Sequence, residues 1–215
     1  MLGLLPLLDL PVHPDPRLRY SIVSMVENWG IKKLHTWGWV PLNLAVCEEN
    51  LRLLHRTFAK HNIPFWLEHG TSLGVVREGG LIPYDDDVDI GLWATYREAF
   101  LSRVLPALRT LGFRLAETRG NTFLALLRKN EKVDVSMVPT DQPGAQCMAP
   151  GSDKGMVPCS EFDHWLRQCR PVTFLGRTFW VPPEDYMVYG YSKNWRTHDW
   201  RRDCRVKRGK TVCNR

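Results

Sequence analysis

Three aspartates alternate in the segment IPYDDDVDIG, residues 82–91: Asp85, Asp87 and Asp89. Side chains along a strand repeat with a period of two, so a strand here would project all three from one face. Carboxylates crowded on one face repel one another unless a cation sits among them. Hard oxygen donors suit Mg²⁺ or Mn²⁺. Mg²⁺ usually takes one or two carboxylates and completes its shell with water and substrate phosphate. The pattern therefore predicts metal-assisted chemistry on a phosphate-bearing substrate. A solvated acidic loop is the plainer alternative; Ile82, Val88, Ile90 and Leu92 argue instead for a packed strand. A calcium loop fails on spacing. Counted from Asp85, Ile90 stands where glycine is needed and Tyr96 where glutamate is needed.

Two further pieces flank this segment. Upstream, Gly70-Thr71-Ser72-Leu73-Gly74 follows an apolar run and leads into a helical pattern. Glycines permit close backbone approach, and exposed N–H groups beside a hydroxyl can cradle a phosphate. Arg77 is placed to hold a second phosphate oxygen bidentately. Alone, such a run is often just a turn; shortly before a D-x-D strand it gains weight. Downstream, Asp134 in KVDVSMV faces away from Val133 and Val135. A lone aspartate in an apolar strand is costly unless paired. A metal would satisfy it, and so would a salt bridge to Lys132 or Arg128. Asp85 and Asp134 are candidate bases. His69 is another, although a histidine beside a turn is more often structural.

These residues need elements to hold them. Leu44, Cys47, Leu51, Leu54 and Phe58 recur at steps of three and four and predict a helix over 43–61. Ile63–Leu67 reads as a buried strand, and GTSLGVVR as a turn and short helix. Asp87–Trp93 reads as a second strand, parallel or antiparallel to the first. Residues 95–111 read as an amphipathic helix kinked at Pro106. Strands are expected at 113–118, 122–129 and Lys132–Val138, a loop at 141–158, and a hairpin-like segment at Phe174–Val181. Pro182-Pro183-Glu184-Asp185 opens a last helix. The class is α+β.

A strand, then G-[ST] and a helix, then D-x-D on a neighbouring strand, then a lone Asp on a later one, is the arrangement of the nucleotidyltransferase fold. HGTSLGVVREGGLIPYDDDVDIGLW further resembles the LicD family, which includes the fukutin-related transferases. The pattern there is GT-L-LG-x-x-R, a short spacer, then I-P-W-D-x-D-x-D-I. This chain departs at Ser72, where a bulky apolar residue is usual, and at Tyr84, where Trp is usual. KVDVSMVP resembles the family's third-carboxylate strand, and TFLGRTFWVPPEDYMVYGYSKNW, residues 173–195, its closing segment. The resemblance covers roughly residues 45–195.

The resemblance implies a nucleotidyltransferase-like mixed sheet flanked by helices over residues 41–195. An irregular arm, 1–40, and a basic tail, 196–215, lie outside it. It implies transfer of a phosphate-linked small alcohol, such as phosphocholine or ribitol phosphate, from a CDP-activated donor to a glycan, with release of CMP. Carried over residue by residue, the Mg²⁺ or Mn²⁺ ligands and catalytic carboxylates would be Asp85, Asp87, Asp89 and Asp134. Gly70, Thr71, Ser72 and Gly74 would approach the donor pyrophosphate, with Arg77 in support. The rivals are a D-x-D sugar-nucleotide glycosyltransferase, a nucleotidyltransferase releasing pyrophosphate, and a glycan- or nucleic-acid-binding module.

Composition bounds the rest. The chain has 215 residues, 44% hydrophobic and 24% charged, which is ordinary for a globular domain. Its net charge of +6 equals that of residues 196–215 alone, where eight Arg or Lys face Asp199 and Asp203. A neutral domain with a basic tail is a weak case for nucleic acid; the tail suits an anionic surface, or simply a solvated terminus. No run of 18 apolar residues encodes a membrane span, and MLGLLPLLDL reads as a poor signal peptide. Six cysteines without C-x-x-C count against a zinc knuckle and permit disulfides in an oxidising lumen. A eukaryotic chain of this kind is expected in the Golgi lumen, a bacterial one in the cytoplasm. Most of the nine tryptophans should be core, with a few left to line a ligand cleft.

Overall fold

The computed structural model describes residues 41–83, 85–139, 142–150 and 156–197, and the backbone of 205–207 and 210–212. The expected N-terminal arm and Tyr84 lie outside the described residues.

Helix α1 (Leu44–Lys60) starts where the periodicity places it, with Val46 N–H donating to the Asn43 side chain. Strand β1 is only Trp66–Leu67, shorter than Ile63–Leu67. Pro64 has no N–H to give to a ladder, so pairing begins beyond it. Helix α2 (His69–Glu78) follows at once. The glycine run is therefore the first half of a helix, not a loop before one. Strand β2 (Val88–Trp93) leads into a continuous helical run. That run is a 3₁₀ turn at Ala94–Tyr96, one α-turn at Arg97–Ala99, a π-helical stretch at Phe100–Val104, and helix α3 (Leu105–Thr110). Pro106 cannot donate to the preceding turn, and the helix widens to a π-helical stretch just before it.

Strands β3 (Arg114–Arg119), β4 (Phe123–Arg128) and β5 (Glu131–Val138) form a meander. The five strands order as β1-β2-β5-β4-β3. β2 runs antiparallel to β1 and parallel to β5; the other pairs are antiparallel. The sheet is mixed, as expected.

The segment 141–158 is not wholly loop. Strands β6 (Gln146–Met148) and β7 (Met156–Pro158) pair, and a Cys147–Cys159 disulfide closes them. Three consecutive polar or small residues on either side hide this hairpin from a periodicity reading. Helix α4 (Ser160–Leu166), the hairpin of β8 (Arg170–Phe174) and β9 (Arg177–Val181), and helix α5 (Glu184–Tyr191) complete the domain. In the basic tail the backbone forms an antiparallel pair, β10 (Arg205–Lys207) with β11 (Lys210–Val212). No helix among the described residues is long and apolar enough to cross a membrane.

Two cores sandwich the sheet. On one face Val88, Ile90, Leu92, Val133 and Val135 pack against Cys47, Leu51, Leu54 and Phe58 of α1. Arg128 of β4 clamps α1 down, donating to Glu49 at 2.7 Å and Asn50 at 2.9 Å. On the other face Trp66 and Val138 meet Phe162 and Leu166 of α4 and Tyr186 and Met187 of α5. Strand alternation sends Asp89, Gly91, Asp134 and Ser136 to this second face.

Gly74 of α2 packs on the loop before β2. A Cβ there would lie 2.6 Å from the Gly80 carbonyl oxygen, a backbone atom. Gly74→Ala is expected to destabilise the fold by about 1–3 kcal/mol through this overpacking. A thermal scan reads it as a lowered Tm; an unchanged Tm would mean that the Gly80 backbone gives way freely.

Candidate active site

The parallel pairing of β2 and β5 sets Asp89 directly opposite Asp134. Asp87 stands one residue before β2. One carboxylate oxygen from each of Asp87, Asp89 and Asp134 lies within 4.8 Å of the others. Three of the four expected carboxylates therefore converge.

Asp85 is outside that group. The alternation argument holds only where the chain is extended, and β2 begins at Val88. Asp85 N–H donates to the Ile82 carbonyl at 3.2 Å, so the chain is not extended at Asp85. The Asp85 carboxyl accepts from Asp86 N–H at 3.0 Å and lies against Gly70, where any Cβ would strike it.

Lys132 is the residue that sequence reasoning placed only as an alternative partner of Asp134. Its ammonium is 2.8 Å from Asp134 Oδ2 and also contacts Asp87 Oδ2, and the side chain is 2% exposed. The salt bridge and the carboxylate cluster are thus one feature, not competing readings. Burial alone would raise the Asp87 pKa, but the Lys132 ammonium outweighs it and holds the carboxyl below its ordinary value. Asp89 lacks that partner. Burial, then the charges of Asp87, Asp134 and Asp85, push its pKa well above the ordinary carboxylate value.

The donor set fits a hard divalent cation. All three ligands are carboxylate oxygens. Three carboxylates against one buried ammonium leave two negative charges, the charge one such ion would balance.

Helix α2 starts beside this cluster. The first N–H groups of a helix lack intrahelical acceptors and carry the positive end of its dipole. Asp89 N–H donates to Thr71 Oγ1 at 2.8 Å, which ties the helix start to β2. Ser72 Oγ donates to the His69 carbonyl at 2.9 Å and is fully buried. Gly70 keeps the helix close to Asp85, while Gly74 serves the packing against Gly80. Arg77 is in the last turn, where its guanidinium pairs with Glu78. It stands seven residues from Gly70, about 10 Å along the axis.

Two residues stand beside the helix start: His69, which the sequence offers as a further candidate base, and Glu68, which was not singled out from sequence. His69 has φ +42°, the left-handed region that non-glycine residues rarely adopt and that clusters at functional sites. Glu68 is buried, accepts from Trp66 Nε1 at 2.7 Å, and lies over Gly91. The readable signal for Glu68 was an acid ending the apolar run FWLEH.

The family model described as LicD/FKTN/FKRP, nucleotidyltransferase domain, matches residues 62–184. An uncharacterized protein of Rickettsia typhi is 42% identical over 98 residues, covering 40% of this chain and 31% of that protein. The Homo sapiens ribitol-5-phosphate transferase FKTN is 46% identical over 46 residues, 21% of this chain and 10% of the relative. This chain thus spans about a third or less of the length of these curated relatives. The solution structure of the antibiotic-resistance factor ANT(2'')-Ia aligns with a TM-score of 0.47 at 14% identity, covering 67% of this chain and 69% of that one.

Proposed function

The chain belongs to the LicD/FKTN/FKRP nucleotidyltransferase-domain family, and from that premise we propose that it transfers a phosphate-linked small alcohol from a CDP-activated donor to a glycan acceptor, releasing CMP. The observation that carries this reading is the convergence of Asp87, Asp89 and Asp134 beside the start of α2. We take residues 41–195 as the catalytic unit.

Asp87, Asp89 and Asp134 would hold Mg²⁺ or Mn²⁺, which when bound neutralises phosphate charge at the leaving CMP. Phosphoryl-type transfer depends on in-line positioning and charge neutralisation more than on covalent chemistry. Gly70 and Thr71, in the first turn of α2, would turn their amides to the donor pyrophosphate, whereas the Ser72 N–H donates to the Glu68 carbonyl and its hydroxyl to the His69 carbonyl, which leaves Ser72 a packing role. Lys132 keeps Asp87 ionised and holds Asp134 in place. Asp134 and Asp87 already share that lysine, so Asp85, at the edge of the cluster, is assigned the proton of the acceptor hydroxyl. Arg77 would reach the donor only by exchanging its Glu78 partner.

Nucleotide release tests the reading. The protein is incubated with CDP-choline, CDP-ribitol, CDP-glycerol and UDP-sugars, each with Mg²⁺, Mn²⁺ or EDTA, in the presence of candidate glycan acceptors. Metal-dependent CMP from one CDP donor is the expected result. UDP would indicate a sugar-nucleotide glycosyltransferase, and pyrophosphate a nucleotidyltransferase; either would overturn the proposal.

A further inference from the structure

A cavity of about 110 Å³ opens on the carboxylate-bearing face of the sheet. Its lining includes Phe123, Ser136, Val138, Phe162 and Tyr186, with Glu68 as its one acidic group. Ser136 follows Asp134 by two residues on the same strand face, about 6.6 Å further along. Gly91, over which Glu68 lies, is opposite Ser136 in register and two residues beyond Asp89. The cavity therefore begins one side-chain step from the proposed site of phosphate chemistry. Its aromatic members are Phe and Tyr; no tryptophan among the described residues lines it. Trp66 acts one layer out, by holding the Glu68 carboxylate.

We propose that this cavity receives the group carried on the transferred phosphate, and that Glu68 makes it selective for a positively charged nitrogen, as in an amino alcohol. The inference rests on the transferase reading for the identity of that group. A carboxylate buried in an apolar pocket is costly without a cation close by. Glu68 Oε1 has the neutral Trp66 N–H, and Oε2 has His69 Nε2 only at 3.8 Å. The rings of Phe162 and Tyr186 line the cavity, and an aromatic ring attracts an ammonium through its quadrupole. A polyol would find neutral hydrogen-bond partners only at Thr122, Ser136, Gln146 and Tyr186, and the Met, Val, Leu and Phe lining would leave its other hydroxyls unpaired. Arg119 also borders the cavity, but it is half exposed, paired with Glu117 and stacked on Phe123 at 4.6 Å.

The test needs neither metal nor turnover. The Trp66 indole N–H resonance of the whole chain is followed by NMR, assigned with Trp66→Phe, during titration with choline chloride, tetramethylammonium chloride, ribitol and, as a salt control, NaCl. Choline and tetramethylammonium should shift the peak saturably, and ribitol and NaCl should not. Glu68→Gln, which keeps an acceptor for Trp66, should weaken choline binding by about tenfold or more. Phe162→Leu, which keeps apolar volume but removes a ring face, should weaken it several-fold. Saturable ribitol binding, or no shift with either ammonium in the unaltered protein, would overturn the assignment. Choline binding with no CMP from any CDP donor would support the cavity's chemistry and count against the transferase reading. CMP from CDP-ribitol without choline binding would sink the cavity's assignment and leave that reading standing.

Discussion

Asp89→Asn is expected to give a folded protein that is more heat-stable than its parent in EDTA, yet releases CMP about a thousandfold more slowly with metal present. A thousandfold corresponds to about 4 kcal/mol of barrier. The two effects share one cause. The Asp89 carboxyl is buried among Asp87, Asp134 and Asp85 without the lysine that Asp87 has, and its pKa stands well above the ordinary value. An acid raised in the folded state carries no penalty at pH below the unfolded-state value. The penalty grows as pH rises from there toward the folded-state value and stays in full above it. Asparagine removes it while keeping the backbone N–H that reaches Thr71. The stability gain over the parent should therefore be absent in acid and develop as pH rises. Melting curves in EDTA across that range, with CMP release at neutral pH, read both effects. Parental turnover would sink the metal assignment, and a lowered Tm in EDTA would show that Asp89 is not repelled by its neighbours.

The sequence made the strands legible where apolar alternation is strict. KVDVSMV shows which residues face inward, and the spacing of Leu44, Cys47, Leu51, Leu54 and Phe58 shows the stripe of α1. Family membership was likewise readable, because GTSLG, DDDVD and KVD stand in order. The parallel neighbour of β2 was not readable, since pairing direction depends on the crossover through residues 94–130 and not on local pattern. That pairing is what sets Asp134 opposite Asp89. Asp85 was grouped with Asp87 and Asp89 by alternation and by the family resemblance, and the turn before β2 breaks the alternation. The roles of Glu68 and Lys132 were hidden for a different reason. Each is an ordinary charged residue in sequence, and only the three-dimensional neighbourhood shows that it is buried and what it faces.

Lys132→Met should act in the opposite direction from Asp89→Asn, and more strongly on the fold. The ammonium is 2% exposed and is shared by Asp87 and Asp134. Methionine fills similar volume but leaves three buried carboxylates with no cation among them. Breaking a buried pair on one side typically destabilises by about 3–5 kcal/mol. Burial by itself would lower the Lys132 pKa, but Asp87 and Asp134 reverse this and raise it. A raised lysine stabilises fully below its unfolded-state value and loses that contribution only as pH rises toward the folded-state one. Asp87, which is lowered, contributes above its unfolded-state value and loses its part as pH falls. Without the lysine the buried carboxyls shift upward, so the gap between parent and variant should be small in acid and widen as pH rises above the ordinary carboxylate value. Mg²⁺ or Mn²⁺ should restore part of the lost stability of Lys132→Met, because the ion supplies the missing positive charge. The double variant Lys132→Met/Asp89→Asn should be less destabilised than the sum of the single effects, since the second change removes one of the charges that the first leaves uncompensated. Strict additivity in urea unfolding would mean that the lysine and the three carboxylates do not form one electrostatic unit.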